Sequence, residues 1–299
     1  MIRFVSVTKR FGAHRGVEDL TLSVAGGEVV ALLGPNGSGK TTSLKVAAGL
    51  VRPTSGSVLA GEPERSTQEP AGRRQISFLP QRVSFPESLT GGEIVEFYRR
   101  LRGAPRGSGE EVLRVASLNG AAGRAVGTYS GGMVQRLGLA VAALPDARAY
   151  LLDEPTSSLD ADGLCAFYGL VERWRREGRA VLFSSHQLGD VERLADRVAL
   201  LVDGRLAASL GQRELSERLA ARGLMRVRLD ACPPALAERL AGVAPGSRWT
   251  GEELVVPGSP AVRAAAVEAL RAAGAEIRGL TAEEGKMDAL YRELVEERA

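Results

Sequence analysis

Apolar and polar positions alternate along residues 2–8 and again along residues 17–24, the period of two half-buried antiparallel strands. Residues 28–33 are mostly apolar and hand over to a helix-compatible run at 42–50. From residue 56 the pattern is mixed until a short strand at 75–79. Residues 90–144 are strand-poor and carry helical spacing, as at Ile94, Phe97, Tyr98 and Leu101, which predicts a helical subdomain inserted into a sheet. Two compact apolar runs, 149–152 and 180–183, flank a helical pattern at 164–176, as expected of buried parallel strands in a doubly wound sheet. A hairpin at 198–202 and 205–209, turning at Asp203 and Gly204, closes that sheet.

Beyond Gly223 the pattern restarts. It reads strand 225–229, helix 234–240, short strands near Trp249 and at 254–256, helix 261–273, strand 276–280 and a terminal helix. That order predicts a small ferredoxin-like α+β domain. The expected division is therefore 1–215, a linker at 216–224, and 225–299, with the helical subdomain at about 90–144.

Composition narrows the class. At 44% apolar and 25% charged residues the 299-residue chain is globular rather than disordered. No run of eighteen apolar residues is present and the first residues lack a signal-peptide pattern, so the expectation is a cytosolic protein that spans no membrane unaided. Cys165 and Cys232 have no His or Cys neighbour at ligand spacing, which argues against a zinc or iron–sulfur site and leaves both as small packing residues. The net charge of +3 is too balanced and dispersed for a nucleic-acid stripe. Only four of the 39 basic residues are lysines, so Lys40 is a minority choice.

The chemistry starts there. Gly34, Pro35, Asn36, Gly37, Ser38, Gly39, Lys40 and Thr41 fit G-x-x-x-x-G-K-[ST] between a strand and a helix, and Thr42 follows. Glycines let backbone N–H groups close around phosphate, and the helix N-terminus adds partial positive charge. Lys40 is placed for the β- and γ-phosphates and the Thr41 hydroxyl for Mg²⁺. Asp153, at the end of the strand 149–152, supplies the carboxylate for Mg²⁺. Glu154 is placed to polarise the water attacking the γ-phosphate.

In this order the residues resemble the nucleotide-binding subunits of ATP-binding cassette transporters, over about residues 1–215. The resemblance implies a P-loop NTPase fold of the ABC type, with a RecA-like core, an antiparallel β subdomain and the inserted helical subdomain. Tyr129, Ser130, Gly131, Gly132 and Met133 resemble the signature sequence, with Tyr and Met where Leu and Gln are commonest. In the family that loop caps the γ-phosphate held by the opposite subunit, and Met133 removes one polar contact. Gln81 matches the glutamine that links Mg²⁺ and attacking water to the membrane-subunit contact. Ser157, Ser158, Leu159 and Asp160 resemble the dimer-contact loop, and His186 matches the γ-phosphate histidine. Phe11 stands where an aromatic stacks on adenine, or covers a strand edge.

The resemblance implies ATP and Mg²⁺ as cofactors and a head-to-tail homodimer of cassettes. It also implies polytopic membrane subunits docking near residues 81–101, with Phe85, Pro86 and Leu89 serving either as an apolar floor or as core. Such a chain lies on the inner face of the cell membrane through those subunits. The stretches 78–85, 97–103 and 128–139 further resemble the ATPase subunit of the copper-handling transporter that matures nitrous oxide reductase, which implies a partner reaching the periplasm. The alternatives are an ATPase for a multidrug, lipid or polysaccharide exporter, and a soluble cassette acting on ribosomes or nucleic acid. Soluble cassettes generally pair two cassettes in one chain or carry coiled coils or zinc modules. A nucleotide-binding regulator without turnover is the third class, and an intact Glu154 and His186 speak against it.

Overall fold

The computed structural model describes residues 1–12, 14–229, 236–251, 253–285, 287 and 290, and these fall into two compact units, Met1–Leu210 and Gly211–Ala299. The first unit begins with β1 (Ile2–Phe11) and β2 (His14–Val24), paired antiparallel, then β3 (Val29–Leu33) and α1 (Lys40–Ala47). β4 (Ser55–Ala60), the two-residue β5 (Arg65–Ser66), α2 (Pro70–Arg73) and β6 (Ile76–Leu79) follow. The helical lobe holds α3 (Gly91–Arg102), α4 (Ser108–Val115) and α5 (Gly131–Ala143). The chain then alternates β7 (Ala149–Leu152), α6 (Ala161–Arg176), β8 (Ala180–Ser184) and α7 (Leu188–Leu194) before the hairpin of β9 (Arg197–Val202) and β10 (Arg205–Gly211).

Two sheets result. One is ordered β2-β1-β4-β5 and the other β10-β9-β3-β8-β7-β6. In the second, β3, β6, β7, β8 and β9 run parallel, and every residue of β3, β7 and β8 is buried, which is why those runs are apolar without alternation. One core joins the inner face of β1, β2 and β4 to α1 and the central strands, through Phe4, Leu20, Leu44, Val58 and Leu182. The β9–β10 turn places Asp203 at φ 48° and Gly204 at φ 79°, the left-handed pair that a two-residue hairpin requires.

β4 was illegible in the mixed stretch after residue 56. Gly56 at φ 76° lies so close to the Ser6 carbonyl that a Cβ would overlap it, and the β1–β4 register shifts between Val5 and Thr8. Pairing with β1 rather than local alternation makes this strand.

The helical lobe has its own core of Ile94, Val95, Leu113, Leu118, Leu137 and Ala140. Its first helix carries a complete capping box. Thr90 accepts from Glu93 N at 3.2 Å while the Glu93 carboxylate accepts from Thr90 N at 2.8 Å, a motif worth about 1 kcal/mol. Gly103 at φ 65° ends that helix.

The second unit opens with α8 (Gln212–Ala220), in which Leu215 and Leu219 are buried. This corrects the linker expected at 216–224, whose first five residues complete that helix. Then come β11 (Leu224–Leu229), α9 (Leu236–Val243), β12 (Arg248–Thr250), β13 (Glu253–Pro257), α10 (Pro260–Ala272) and β14 (Ile277–Glu283). The sheet order is β12-β13-β11-β14, with all three pairings antiparallel. Met225, Val227, Leu254, Val256, Ala266 and Leu270 make its core. The expected terminal helix and Cys232 lie outside the described residues. Cys165 is exposed on α6, which corrects its reading as a packing residue.

Candidate functional site: a phosphate loop at the ends of parallel strands

Buried β3 delivers the chain into a loop that only glycine can trace. Gly34, Gly37 and Gly39 have φ of 156°, 82° and 99°. A Cβ on Gly34 would overlap Leu201 O and Ser38 Oγ, and one on Gly39 would overlap Gly16 O. Gly39 is also the N-cap of α1, with no side chain capping it and no acid in the first turn. The helix start is left to an external anion. Ser38 Oγ is buried without a hydrogen-bond partner. Lys40 Nζ donates to Gly34 O at 2.7 Å and Pro35 O at 3.1 Å. Burial lowers the pKa of its amine below the ordinary lysine value, and the charges of Glu154 and Asp153 pull it partly back up.

The parallel register sets the acids beside this loop. β7 pairs Leu152 with Leu79 of β6 and with Phe183 of β8, so the residues after all three strands meet at one edge. Asp153, 1% exposed, accepts from Ser184 Oγ at 2.7 Å and Thr41 Oγ1 at 3.2 Å, both through Oδ1. Its Oδ2 is buried with no partner. A carboxylate oxygen left this way is costly unless something binds it. With the Thr41 hydroxyl, it forms the hard-oxygen donor set that Mg²⁺ takes.

Glu154 is held from three sides. Its backbone N–H donates to Ser184 Oγ at 2.8 Å, its Oε2 accepts from Gln81 Nε2 at 3.0 Å, and His186 Nδ1 lies 3.5 Å from the same oxygen. Its φ of 46° is a left-handed conformation rare for a non-glycine residue. Backbone strain of this kind gathers at functional sites.

A cleft of about 390 Å³ gathers Phe11, Asn36, Gly37, Ser38, Gly39, Lys40, Thr41, Thr42, Gln81 and Glu154. Pro35, Asp153 and His186 adjoin it through the contacts just given. Phe11 is 49% exposed, with Lys9 Nζ 4.9 Å from its ring centroid. Arg15 and Gly16 also line the cleft and were missed in the sequence. The apolar alternation puts the strand start at residue 17, whereas β2 starts at His14, opposite Phe11. A Cβ on Gly16 would stand 2.9 Å from Phe11 Cε2, so the aromatic lies directly on this glycine.

Ser130, Gly131, Gly132 and Asp160 are not among the residues lining that cleft. The Ser130 hydroxyl caps α5, accepting from Met133 N at 3.2 Å, while Ser130 and Gly131 are exposed. Met133 packs against the helical-lobe core, which accounts for an apolar residue there. Asp160 caps α6 by accepting from Gly163 N at 2.9 Å and lies 3.4 Å from Arg136 Nη2. Both side chains are engaged with their own fold.

A second hollow, of about 290 Å³, lies between β6 and the helical lobe and is lined by Phe78, Arg82, Val83, Phe85, Tyr98 and Arg102 among others. Phe85 sits edge-on to Tyr98 at 6.1 Å and packs on the helical-lobe core, so it is both wall and core. Pro86 and Leu89 are exposed and do not line the hollow.

A glycine loop from a buried parallel strand into a helix, with a carboxylate at the neighbouring strand end, defines a P-loop nucleotide-binding protein. The family model for ABC transporters matches residues 17–157. The chain is 34% identical over 258 residues to the Nod factor export ATP-binding protein I of Burkholderia orbicola (strain AU 1054), covering 85% of this chain and 84% of that protein. It is 34% identical over 239 residues to the daunorubicin/doxorubicin resistance ATP-binding protein DrrA of Streptomyces peucetius, covering 78% and 72%. The dimeric post-hydrolysis structure of the ATP-binding cassette MJ0796, bound to ADP and Pi, matches with a TM-score of 0.65 at 27% identity, covering 71% of this chain and 99% of that one. The chain belongs to the ATP-binding subunits of ABC transporters and is an ATP hydrolase of that type. Among its described residues no helix is long and apolar enough to cross a membrane.

Proposed function

We propose that the chain is the hydrolysing subunit of an exporter, working as a homodimer beneath separate membrane subunits at the inner face of the cell membrane. The observation that carries the site assignment is the meeting of Gln81, Glu154 and His186 beside the phosphate loop, with buried, unpartnered oxygens at Ser38 in that loop and at Asp153 at the end of β7. Export is supported by the Nod factor relative, which matches along most of both chains.

In this reading Phe11 stacks on adenine and residues 34–42 wrap the phosphates. The Lys40 amine exchanges its loop carbonyls for phosphate oxygens. Thr41 and Asp153, with Gln81, would hold Mg²⁺, which supplies charge neutralisation at the phosphate oxygens when bound. Glu154 takes the proton of the attacking water, and Gln81 and His186 orient its carboxylate. Ser130, Gly131 and Gly132, with the loop ending at Asp160, serve the nucleotide of a second copy. That arrangement fits their absence from the cleft of their own chain. The hollow at Phe85 and Tyr98 takes a segment of the membrane subunit. The second unit has the strand order of a ferredoxin-like domain and serves as a further dimer contact or dock.

The test is to express the Glu154→Gln chain with an affinity tag in its native host. Its membranes are then solubilised with ATP present and the co-purifying proteins identified by mass spectrometry. A polytopic membrane protein is expected. Recovery of ribosomes or DNA-repair proteins instead would overturn the transport reading. A membrane partner with a periplasmic copper-binding companion would replace the drug, lipid or polysaccharide cargo with the copper pathway.

A further inference from the structure

One buried carboxylate has no part in the nucleotide cleft. Asp190, on α7, is 3% exposed, and among the described residues no arginine or lysine lies within ion-pair distance of it. Three hydroxyls surround it instead. Thr156 Oγ1 donates to Oδ2 at 2.6 Å, Tyr168 OH donates to Oδ1 at 2.7 Å, and Ser185 Oγ lies 3.5 Å from Oδ2. A buried acid satisfied only by neutral donors is an expensive way to hold a helix, because each missing bond leaves charge uncompensated.

Its partners lie next to the chemistry. Thr156 is two residues beyond Glu154, in the same loop. Ser185 immediately precedes His186; its hydroxyl accepts from Gln187 N at 2.9 Å and lies 3.3 Å from Gln187 O, slightly nearer than to Asp190, closing a small turn around the histidine that α7 and Asp190 directly continue. Tyr168 comes from α6 and is buttressed on its other side by the Arg193 guanidinium, 4.6 Å from the ring centroid. Burial, with the Asp190 carboxylate, pushes the Tyr168 phenol up to about 12, so it stays a donor. Asp190 thus ties the loop carrying Glu154 to the loop carrying His186.

We infer that Asp190 is a positioning residue for ATP hydrolysis, setting the His186 loop against the Glu154 loop through Thr156 and Ser185. It touches no substrate atom, and its effect falls on kcat rather than on nucleotide affinity. The Tyr168 bond anchors the carboxylate to α6 and serves stability.

The full chain tests this with three variants and three readouts: turnover kinetics, Tm and ring NMR. Thr156→Val, which keeps shape and removes the hydroxyl, should lower kcat about tenfold and leave KM for ATP within about twofold. Thr156→Ser should recover most of the loss. Tyr168→Phe should lower Tm comparably while kcat stays within about twofold. The chain has two histidines, so ring NMR isolates His186 from His14. Thr156→Val should shift or broaden the His186 resonances alone. Unchanged kcat and unmoved His186 resonances in Thr156→Val would overturn the inference, as would loss of kcat in Tyr168→Phe equal to that in Thr156→Val. The inference rests on the roles proposed for Glu154 and His186. Wild-type turnover in Glu154→Gln and His186→Ala would place the fault there. Loss in those two beside a silent Thr156→Val would reject Asp190 alone.

Discussion

Two helix N-termini in the first unit present glycine and hydroxyl groups, and they are built in opposite ways. At α1 the cap is Gly39 in a left-handed conformation, with no side chain serving the first-turn N–H groups and a buried, unpartnered Ser38 hydroxyl beside them. At α5 the cap is Ser130, whose own hydroxyl accepts from Met133 N at 3.2 Å on an exposed surface. The first terminus is incomplete without a ligand. The second is complete as a piece of fold and open to a partner. Gly39 and Gly131, the glycines that open the two helices, divide in the same way, because a Cβ on Gly39 meets Gly16 O while one on Gly131 meets nothing within 4 Å. Gly132 and Gly37 do not follow that division, since a Cβ on Gly132 would meet Ser158 O at 2.9 Å and one on Gly37 would meet nothing.

The largest effects should come from the α1 side. Lys40→Ala should lower turnover about 10²- to 10³-fold, because the amine proposed to face phosphate is lost. Steady-state phosphate release measures it, and Glu154→Gln should match that loss while retaining bound ATP on a filter assay.

The glycines give the sharpest contrast. Gly39→Ala puts a methyl group into Gly16 O at a φ of 99°, with strain of about 1–3 kcal/mol, and should abolish nucleotide binding. Gly131→Ala should leave Tm and ATP affinity unchanged, yet lower turnover if Gly131 serves a second copy. Calorimetry and a turnover assay on the same samples separate the two, and equal behaviour of the pair would dissolve the comparison.

Ser130→Ala should cost about 1 kcal/mol of stability through loss of its cap. Urea unfolding reads that loss directly.

The smallest effect is electrostatic. The Lys40 pKa is lowered by burial, so its charged form costs stability at low pH, and that cost is relieved as pH rises toward the ordinary lysine value of 10.5. Glu154 opposes the shift. Glu154→Gln should therefore lower the Lys40 pKa further, moving its deprotonation to lower pH. With four lysines in the chain, ε-carbon NMR can follow it. An unmoved titration would mean that the two groups do not interact, and movement to higher pH would contradict the sign of their interaction.

These differences also explain what the amino-acid sequence reveals. The phosphate loop was legible because Gly34, Gly39, Lys40 and Thr41 keep their spacing whatever surrounds them, and the buried strands before and after were legible from unbroken apolar runs. β4 was not, because Gly56 breaks its alternation and only β1 defines its register. Arg15 and Gly16 escaped because the polar start of β2 hides them. Asp190 escaped because its partners Thr156 and Tyr168 stand 34 and 22 positions away, with no motif joining them. The capping roles of Ser130 and Asp160 appear only once helix starts are known, whereas their proposed roles toward a partner come from family resemblance.

The central claim is that this chain holds a nucleotide at α1 and offers α5 to the nucleotide of a second copy. Light scattering of the Glu154→Gln chain, with and without ATP, tests it most directly. ATP should convert monomer to dimer, and adding Ser130→Ala should weaken that dimer without changing ATP affinity in the monomer. A chain that binds ATP and remains monomeric, or a dimer indifferent to Ser130, would contradict the account.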